Sequence, residues 1–448
     1  MTLEKRSLTL LAEALEKLDE GFSALPAMDP DPDLDRIRAV LLEVAERMQE
    51  NYPYHHPFYL GQMLKPPHPM ARIAYALSLW INPNNHALDG GRASSTMEKE
   101  AVAQLAAMFG WQTHLGHLCG GGTMANLEGL WVARSLRPNA TTLASDQAHY
   151  THQRICGVLR QPFQAVVSDR QGRMDVDALR TAVDAGDIGT VVVTMGTTAT
   201  GSVDPLPAVL QMREEYGFRV HADAAYGGYF ILADDLAPET RASFECLGEV
   251  DSIAVDPHKH GLQPYGCGCI LFKDPSVGAV YKHESPYTYF TSSDLHLGEI
   301  SLECSRPGAP AAALWATQKL LPPIRGGEFA RDLGHCRQAA KDLHGRLRAE
   351  SRFVVPFEPE LDIVVWAPRQ DSVEEASRLS RAIFEEAASS NLHLALAELP
   401  VALFGDRWVD QGRERVTCLR SCLMKPEHLE WLDRIWDALM DAAIRSGF

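Results

Sequence analysis

A lysine follows a short apolar run in the second half of the chain, within Asp256-Pro-His-Lys-His. The run Ser252–Val255 is typical of a buried strand, and the polar, proline-containing residues after it predict a loop that carries Lys259. A charged amine next to a buried sheet is costly unless it is paired, whereas an unprotonated lysine amine forms Schiff bases with carbonyl compounds. A lysine on a surface hairpin, with its amine in solvent, is the alternative that these residues leave open.

Three other groups could bind an anion or an aromatic ring. Gly120-Gly-Gly-Thr123 precedes a helical pattern, and free N–H groups at a helix start favour phosphate, although glycines there can also serve only a tight turn. Asp223 ends a predicted strand, and a protonated pyridine nitrogen, Arg219 or Arg241 would supply the cationic partner that a buried carboxylate needs. His149 also follows a strand and could stack on a flat ring, although a lone histidine is more often structural.

These groups lie at the ends of strands in an alternating pattern. Between residues 111 and 272, short apolar runs alternate with helical patterns, which predicts an α/β fold with a largely parallel sheet covered on both faces. The candidate groups follow the runs that end at Ala144, Thr194, Ala222 and Val255. Ligands of such sheets bind outside the carboxyl ends of the strands, so we expect these groups to meet in one site.

The order of elements predicts three parts of the chain. Residues 1–95 hold two amphipathic helices followed by irregular segments, and residues 96–325 form the large α/β domain. A new series of helical patterns and apolar runs begins after residue 325. Its three helices and four short strands predict a smaller α+β domain over residues 326–448.

Composition excludes several classes of function. The net charge of −17 and the pI near 5.4 argue against a general nucleic-acid or membrane-surface binder. The first residues read as an amphipathic helix with charges of both signs, not as a signal peptide. The 9 cysteines show no disulfide-like spacing, which is typical of a reducing compartment, so we expect a cytoplasmic protein.

Six motifs make the chain resemble a known family. They are GGGTMAN (120–126), SDQAH (145–149), GTTATGSVDP (196–205), HADAAYGG (221–228), DPHKHGLQPYGCG (256–268) and SRPG (305–308). With them the chain resembles the pyridoxal-phosphate (PLP)-dependent amino-acid decarboxylases of the glutamate and aromatic-L-amino-acid decarboxylase group, over residues 50–425. The resemblance implies the aspartate-aminotransferase-type fold (fold type I) and PLP as cofactor. It also implies conversion of an L-amino acid to its amine and CO2 through a Lys259 Schiff base and a quinonoid intermediate.

The resemblance also implies roles for single residues. Lys259 would hold PLP as a Schiff base, Asp223 would bind the pyridine nitrogen, and His149 would stack on the ring. The other cofactor contacts that it implies are Gly121, Gly122, Thr123, Thr197, Ala225, His258 and, from the second subunit, Ser305. The substrate contacts that it implies are Arg420, for the α-carboxylate, and Tyr59, Asn85 and His86 in the entry loops. A proton for the substrate carbon would come from Tyr287, Tyr289 or His149.

The chain departs from the family pattern near the site. Cys119-Gly120 stands where relatives usually have Thr-Ser, which removes a hydroxyl donor, and His260 stands where an aromatic residue is common. A carbon–carbon lyase or an aldehyde synthase on the same scaffold stays open as an alternative, although a tyrosine in the loop after residue 280 favours decarboxylation. Retention of His149, Asp223 and Lys259 argues against a scaffold protein with a decayed site.

We expect no metal and no macromolecular partner other than a second copy of the chain. His258 and His260 lie near Cys267 and Cys269, but the spacing does not match a metal-ligand loop. The resemblance implies a homodimer with shared active sites and with N-terminal helices packed across it. The side chain of the substrate cannot be read from these residues, and glutamate, aspartate and aromatic amino acids all stay open.

Overall fold

The computed structural model describes residues 5–26, 32–282, 295–408 and 412–447. Within these ranges the helices are α1 (Ser7–Glu20), α2 (Leu34–Met48), α3 (Pro69–Leu79), α4 (Arg92–Met108), α5 (Gly122–Leu136), α6 (Thr151–Leu159), α7 (Val176–Ala185), α8 (Leu206–Tyr216), α9 (Pro238–Glu245), α10 (Ala309–Leu320), α11 (Glu328–Ala349), α12 (Val373–Ser389) and α13 (His428–Arg445). The strands are β1 (Leu115–Cys119), β2 (Thr141–Ser145), β3 (Phe163–Val166), β4 (Ile188–Thr194), β5 (Arg219–Asp223), β6 (Ser252–Val255), β7 (Gly268–Phe272), β8 (Phe353–Val354), β9 (Ile363–Pro368), β10 (Ala395–Pro400) and β11 (Arg415–Cys422).

The strands form two sheets. The larger has 7 strands in the order β1-β7-β6-β5-β4-β2-β3, and the smaller has 4 in the order β10-β11-β9-β8. In the larger sheet β3, β2, β4, β5 and β6 run parallel, whereas β7 pairs antiparallel with both β6 and β1. All pairs of the smaller sheet are antiparallel. The predicted α/β fold with a mostly parallel central sheet and a smaller α+β part is therefore confirmed.

Buried strands and capped helices explain why the sequence pattern locates most elements. Every residue of β4 is buried, as expected for a strand covered by helices on both faces. The side chain of Asp175 caps α7 and that of Ser372 caps α12, each accepting a hydrogen bond from a backbone N–H in the first turn. One hydrophobic core includes residues of both sheets, so the predicted division at residues 95 and 325 stays a prediction.

Two elements are absent from the sequence-based prediction. Strand β1 reads Leu-Gly-His-Leu-Cys, which is too short and mixed for a clear period. Helix α9 reads PETRASFE and buries only three side chains, so its pattern resembles a loop. Both are stabilised by tertiary contacts that a local pattern does not reveal.

Glu98 on α4 is a buried hub that joins three segments. One carboxylate oxygen accepts hydrogen bonds from the backbone N–H of Leu118 at 2.9 Å and from Arg306 at 2.8 Å. The other accepts from the side chain of Asn85 at 2.6 Å. Arg306 belongs to the Ser-Arg-Pro-Gly motif, so this motif has a structural role as well as the cofactor role implied for its serine.

Removing this hub should destabilise the fold. We expect Glu98→Ala to lower the free energy of unfolding by about 3–5 kcal/mol, because the Arg306 guanidinium would remain buried without its partner. Urea denaturation followed by circular dichroism measures the change. The control is Glu43→Ala, which breaks an exposed pair with Arg47 and should cost about 0–1 kcal/mol. Equal losses in the two variants would contradict the role of Glu98.

No helix among the described residues is both long enough and apolar enough to span a bilayer.

Candidate active site

A cavity of about 530 Å³ opens at the carboxyl ends of the parallel strands. His149 follows β2, Thr194 ends β4, Asp223 ends β5, and Lys259 lies on the loop after β6. The predicted site residues that line this cavity are Gly121, Gly122, Thr123, His149, Asp223, Ala225, His258 and Lys259. These side chains meet because parallel strands place their carboxyl ends at the same edge of the sheet.

Lys259 is paired with a buried carboxylate. A turn closed by a 2.9 Å hydrogen bond from its backbone N–H to the carbonyl of Asp256 brings the two side chains together. Its Nζ lies 2.9 Å from Oδ2 of Asp256, and 21% of the lysine side chain is exposed. Because the amine lines the cavity, Lys259 is not a lysine on a surface hairpin. Asp256 was missed by the sequence analysis, although its position three residues before the lysine is a usable signal.

Asp223 is a buried carboxylate that is held in its ionised form. Its Oδ2 accepts hydrogen bonds from His152 Nε2 at 2.8 Å and from Asn126 Nδ2 at 3.2 Å, and its Oδ1 accepts from the backbone N–H of Ala225 at 3.2 Å. Burial raises the pKa of Asp223, but the hydrogen bond from His152 and the charges of His152 and Lys259 outweigh burial and hold the pKa well below its ordinary value.

The partners of Asp223 differ from those that the sequence analysis considered. Arg219 pairs with Asp251 at 3.4 Å, and Arg241 donates a hydrogen bond to the carbonyl of Ala233. The interpretation of Asp223 as the partner of either arginine is therefore wrong. His152 was missed, although a histidine three residues after His149 at a helix start places both on one turn.

His149 lies two residues before α6 and forms part of the cavity wall. Its Nδ1 is 2.7 Å from the hydroxyl of Thr151, and its ring lies tilted against Tyr150, with 4.5 Å between ring centroids. Burial lowers the pKa of His149, which favours the neutral ring. A neutral imidazole can stack on an aromatic ring without introducing a charge.

The glycine turn approaches its neighbours too closely for larger residues. Gly121 has φ of +150°, and a Cβ on Gly121 would lie 3.1 Å from the ring of His258. A Cβ on Gly122 would lie 2.8 Å from Oδ2 of Asp256 and 3.1 Å from Cβ of Ala225. Gly122 is the first residue of α5, so the free N–H groups of this helix start point toward the cavity that the turn lines.

A methyl group on this turn should disturb phosphate binding. We expect Gly122→Ala to weaken PLP binding by about tenfold or more, because relieving the clash must displace the turn or the wall of the cavity. The matched control is Gly120→Ala, since a Cβ on Gly120 would meet nothing closer than 3.9 Å. Titration of the apoprotein with PLP, followed by visible absorption, measures both affinities. An unchanged affinity of Gly122→Ala would contradict a phosphate site at this turn.

Two neighbouring threonines of the motif at residues 196–205 have different surroundings. Thr197, predicted to bind the cofactor, does not line the cavity; its hydroxyl lies 2.6 Å from that of Thr200. Thr198 lines the cavity instead, and its carbonyl accepts a 2.9 Å hydrogen bond from Arg420. Arg420 is buried and also donates to the side chain of Gln62 at 3.1 Å. It therefore lies next to the cavity, behind Thr198.

The predicted substrate residues of the entry loops lie outside the cavity lining. Asn85 is fully buried, and its amide binds Glu98 and Ser94, so the structure does not support it as a substrate ligand. Tyr59 is also buried, and its hydroxyl accepts a hydrogen bond from the backbone of Gln62. The ring of His86 lies 3.6 Å from the sulfur of Cys304.

Two other predictions concern residues that a single described chain does not test. Ser305 is exposed outside the cavity, where its hydroxyl accepts a 3.2 Å hydrogen bond from Asn84. Tyr287 and Tyr289, the candidate proton donors, lie outside the described residues.

Of the four residues considered for a metal site, His258 lines the cavity, and the other three pack as core residues. His260 is buried, and its ring lies edge-on to Tyr226 and Phe230, as an aromatic residue there would. Cys267 and Cys269 are also buried. Nowhere in the described ranges do three His, Cys, Asp or Glu side chains come together as a potential metal site.

Comparison with known proteins identifies the family. The model of the pyridoxal-dependent decarboxylase conserved domain matches residues 128–368, which is more than half of the chain. This chain belongs to the pyridoxal-dependent decarboxylase family. This decarboxylase is 28% identical to L-tyrosine decarboxylase of Enterococcus faecium over 74% of this chain and 72% of that protein. It is 30% identical to a probable L-tyrosine/L-aspartate decarboxylase of Methanothermobacter thermautotrophicus, over 71% of this chain and 86% of the relative.

The structural comparison agrees on the fold. The crystal structure of Oryza sativa TDC with PLP and tryptamine matches the decarboxylase with a TM-score of 0.79 at 17% identity, over 99% of each chain. At this identity the likeness shows the fold alone. Together with the family match it confirms the predicted fold type I. The predicted activity is confirmed as well: the protein is a PLP-dependent decarboxylase of an L-amino acid.

The cavity of the decarboxylase fits PLP on three counts. The glycine turn at the start of α5 leaves room and N–H donors for a phosphate. The ionised Asp223 offers an oxygen, Oδ1, that accepts one 3.2 Å hydrogen bond and can accept another. The amine of Lys259 lies in the same cavity. These are the groups that a phosphate, a pyridinium nitrogen and an aldehyde require.

Proposed function

We propose that Lys259 binds PLP covalently and that Asp223, His149 and the turn Gly121–Thr123 hold its ring and phosphate while an L-amino acid loses CO2. The observation that carries this assignment is the common cavity at the strand ends, which collects an amine, an ionised carboxylate, an imidazole and a glycine turn. When bound, PLP supplies an aldehyde that forms a Schiff base with amines and a ring that accepts the electron pair left behind by CO2.

Asp256 prepares the lysine for its role. Its carboxylate lies 2.9 Å from the amine of Lys259 and can take the proton that the amine must lose before it attacks a carbonyl carbon. The same carboxylate can return that proton when the amine leaves. His258, whose Nε2 lies 3.5 Å from Asp256, would contact the phosphate.

Asp223 and His149 act on the ring. With PLP bound, the negative charge of Asp223 would keep a proton on the pyridine nitrogen, and this proton would increase the electron-withdrawing power of the ring. His149, which lines the cavity, would cover one face of the ring and exclude water from it. The proton that replaces CO2 on the substrate carbon comes from His149 or from a loop tyrosine, Tyr287 or Tyr289.

Arg420 is our candidate for recognition of the substrate carboxylate. Its guanidinium is buried next to the cavity and binds neutral oxygens of Thr198 and Gln62, which a carboxylate could replace. Because the relatives above are named for L-tyrosine and L-aspartate, these two are the first substrates to test. Release of CO2 from the PLP-loaded protein with each of the twenty L-amino acids tests the proposal. A protein that binds PLP but releases CO2 from none of them would contradict a standard amino acid as substrate.

We further propose that the protein is a homodimer in which α2 packs on the second copy. No residue of α2 is buried, and its large apolar side chains recur at intervals of three and four residues, which is the spacing of a packed helix face. Their exposed fractions are 69% for Leu34, 52% for Ile37, 63% for Leu41, 49% for Val44 and 64% for Met48. In such a dimer the exposed Ser305 would reach the phosphate of the second active site.

A charge on this face should break the dimer. We expect Leu41→Asp to sediment as a monomer at micromolar concentration, because dimerisation would bury an unpaired carboxylate. Ala39→Asp adds the same charge to the opposite face of α2 and should leave the dimer intact. Analytical ultracentrifugation distinguishes the two outcomes. A monomeric wild-type protein, or a dimeric Leu41→Asp variant, would contradict this interface.

The cytoplasm is the location that we propose. All 9 cysteines are free, including the pair Cys267 and Cys269, which is typical of proteins in a reducing compartment. Fractionation of cells that express the full chain tests the location.

A further inference from the structure

His152 lies behind Asp223, on the side away from the cavity. It is fully buried on α6, and it is not among the residues that line the cavity, whereas Asp223 is. Its Nε2 lies 2.8 Å from Oδ2 of Asp223. His152 can therefore act on the bound cofactor only through this carboxylate.

The two oxygens of Asp223 have different surroundings. Oδ2 accepts hydrogen bonds from both His152 and Asn126, whereas Oδ1 accepts one from the backbone N–H of Ala225. Asn126 is itself fixed, because its Oδ1 accepts from His221 Nε2 at 2.8 Å, and so its NH2 group must point to Asp223. Two donors thus hold Oδ2, and Oδ1 is the oxygen with capacity left for a ring N–H.

His152 directs its ring N–H to Asp223. Nδ1 is buried and has no hydrogen-bond partner among the described residues. Because a carboxylate oxygen only accepts, Nε2 of His152 must carry a proton. Asp223 is therefore the one hydrogen-bond partner that the described residues offer to this ring.

We propose that His152 is a positioning residue whose Nε2–H holds Oδ2 of Asp223 and thereby directs Oδ1 to the ring nitrogen of PLP. This inference rests on the proposed role of Asp223. His152 contacts neither substrate nor cofactor, so its loss should affect cofactor affinity and kcat but not the KM for the amino acid.

Three variants test the proposal. His152→Leu removes the donor and keeps an apolar side chain of similar size, and His152→Gln can place an amide N–H near the position of Nε2. We expect the leucine variant to bind PLP about tenfold more weakly and to lose about 10- to 100-fold in kcat, as for a hydrogen bond to a charged group. The glutamine variant should recover both to within about threefold, since it restores the donor. His344→Leu, which removes a buried histidine from α11, should change neither.

PLP titration and steady-state kinetics give both readouts, and near-ultraviolet circular dichroism checks folding. The proposal would be overturned if His152→Leu kept the PLP affinity and kcat of the wild-type protein. It would also be overturned if His152→Gln folded but lost as much PLP affinity and kcat as the leucine variant. If His152→Leu does not fold, His152→Met takes its place, because it also lacks the donor, and its effect in the wild-type protein is compared with its effect in an Asp223→Asn background. The proposal predicts no further loss there, and an additive loss would overturn it. A wild-type protein that neither binds PLP nor turns over any amino acid would instead contradict the proposed function, and this inference with it.

Discussion

Replacement of Lys259 with alanine is expected to abolish decarboxylation. The variant lacks the amine that binds the cofactor covalently and that releases the product when it returns to the cofactor. We expect kcat/KM to fall by about 10⁴-fold or more, as when an essential nucleophile is removed from other enzymes. The visible absorption of the Schiff base with the protein should disappear too, whereas the glycine turn and Asp223 can still hold PLP without a covalent bond. Assays of CO2 release and absorption spectra measure the two effects.

The exposed lysine Lys273, just after β7, provides the control. Lys273→Ala removes an amine from the same hairpin outside the cavity and should leave both readouts unchanged. A Lys259→Ala variant with near-normal CO2 release would show that another group performs the covalent step.

Replacement of Asp223 with asparagine should produce the second-largest loss. The substitution keeps the size of the side chain and removes its negative charge, so the proton on the pyridine nitrogen loses its partner. We expect kcat to fall by about 10²–10³-fold, the range for removal of a preorganised electrostatic group. PLP affinity should fall as well, whereas the KM for the amino acid should change less. Steady-state kinetics and PLP titration separate these effects.

Asp234→Asn is the matched control, because this carboxylate is exposed and outside the cavity. It should retain wild-type kinetics. A kcat of Asp223→Asn close to that of the wild-type protein would mean that the ring does not depend on this carboxylate.

The elements of the fold could be predicted where local pattern and burial agree. Strand β4 is buried throughout and is β-branched at every position except Gly189, and α7 and α12 begin at capping residues, so their positions follow from the sequence alone. Strand β1 could not be predicted, because its five residues gain their stability from pairing with β7, far along the chain. The strand order of the small sheet could not be predicted either, since the antiparallel pairing of β9 with β11 depends on tertiary contacts.

The site could be predicted as a set of residues but not as a set of contacts. Motifs at strand ends indicated Lys259, Asp223 and His149 because topology brings strand ends together. Thr198 lines the cavity, whereas its neighbour Thr197 does not. The backbone angles of the turn, which begins at Gly196 with φ of +107°, determine which of the two threonines lies at the cavity.

Residues that act behind the cavity are harder to find from sequence. Asn85 lies in a loop that could line the substrate pocket, yet its amide nitrogen donates to Glu98 and its amide oxygen accepts from Ser94. Asp256 and His152 carry signals of spacing, three residues from Lys259 and His149, but many such pairs occur by chance. Only the packing of α6 behind β5 brings His152 to Asp223.

The central claim is that PLP on Lys259 serves the removal of CO2 from an L-amino acid. The most direct test mixes the PLP-loaded protein with each of the twenty L-amino acids and measures CO2, amine and visible absorption together. The account predicts that at least one amino acid shifts the absorption band and yields amine and CO2 in equal amounts. Products that include an aldehyde or a peroxide in place of the amine, or a shifted band with no CO2, would contradict it and favour an aldehyde synthase or a lyase on the same scaffold.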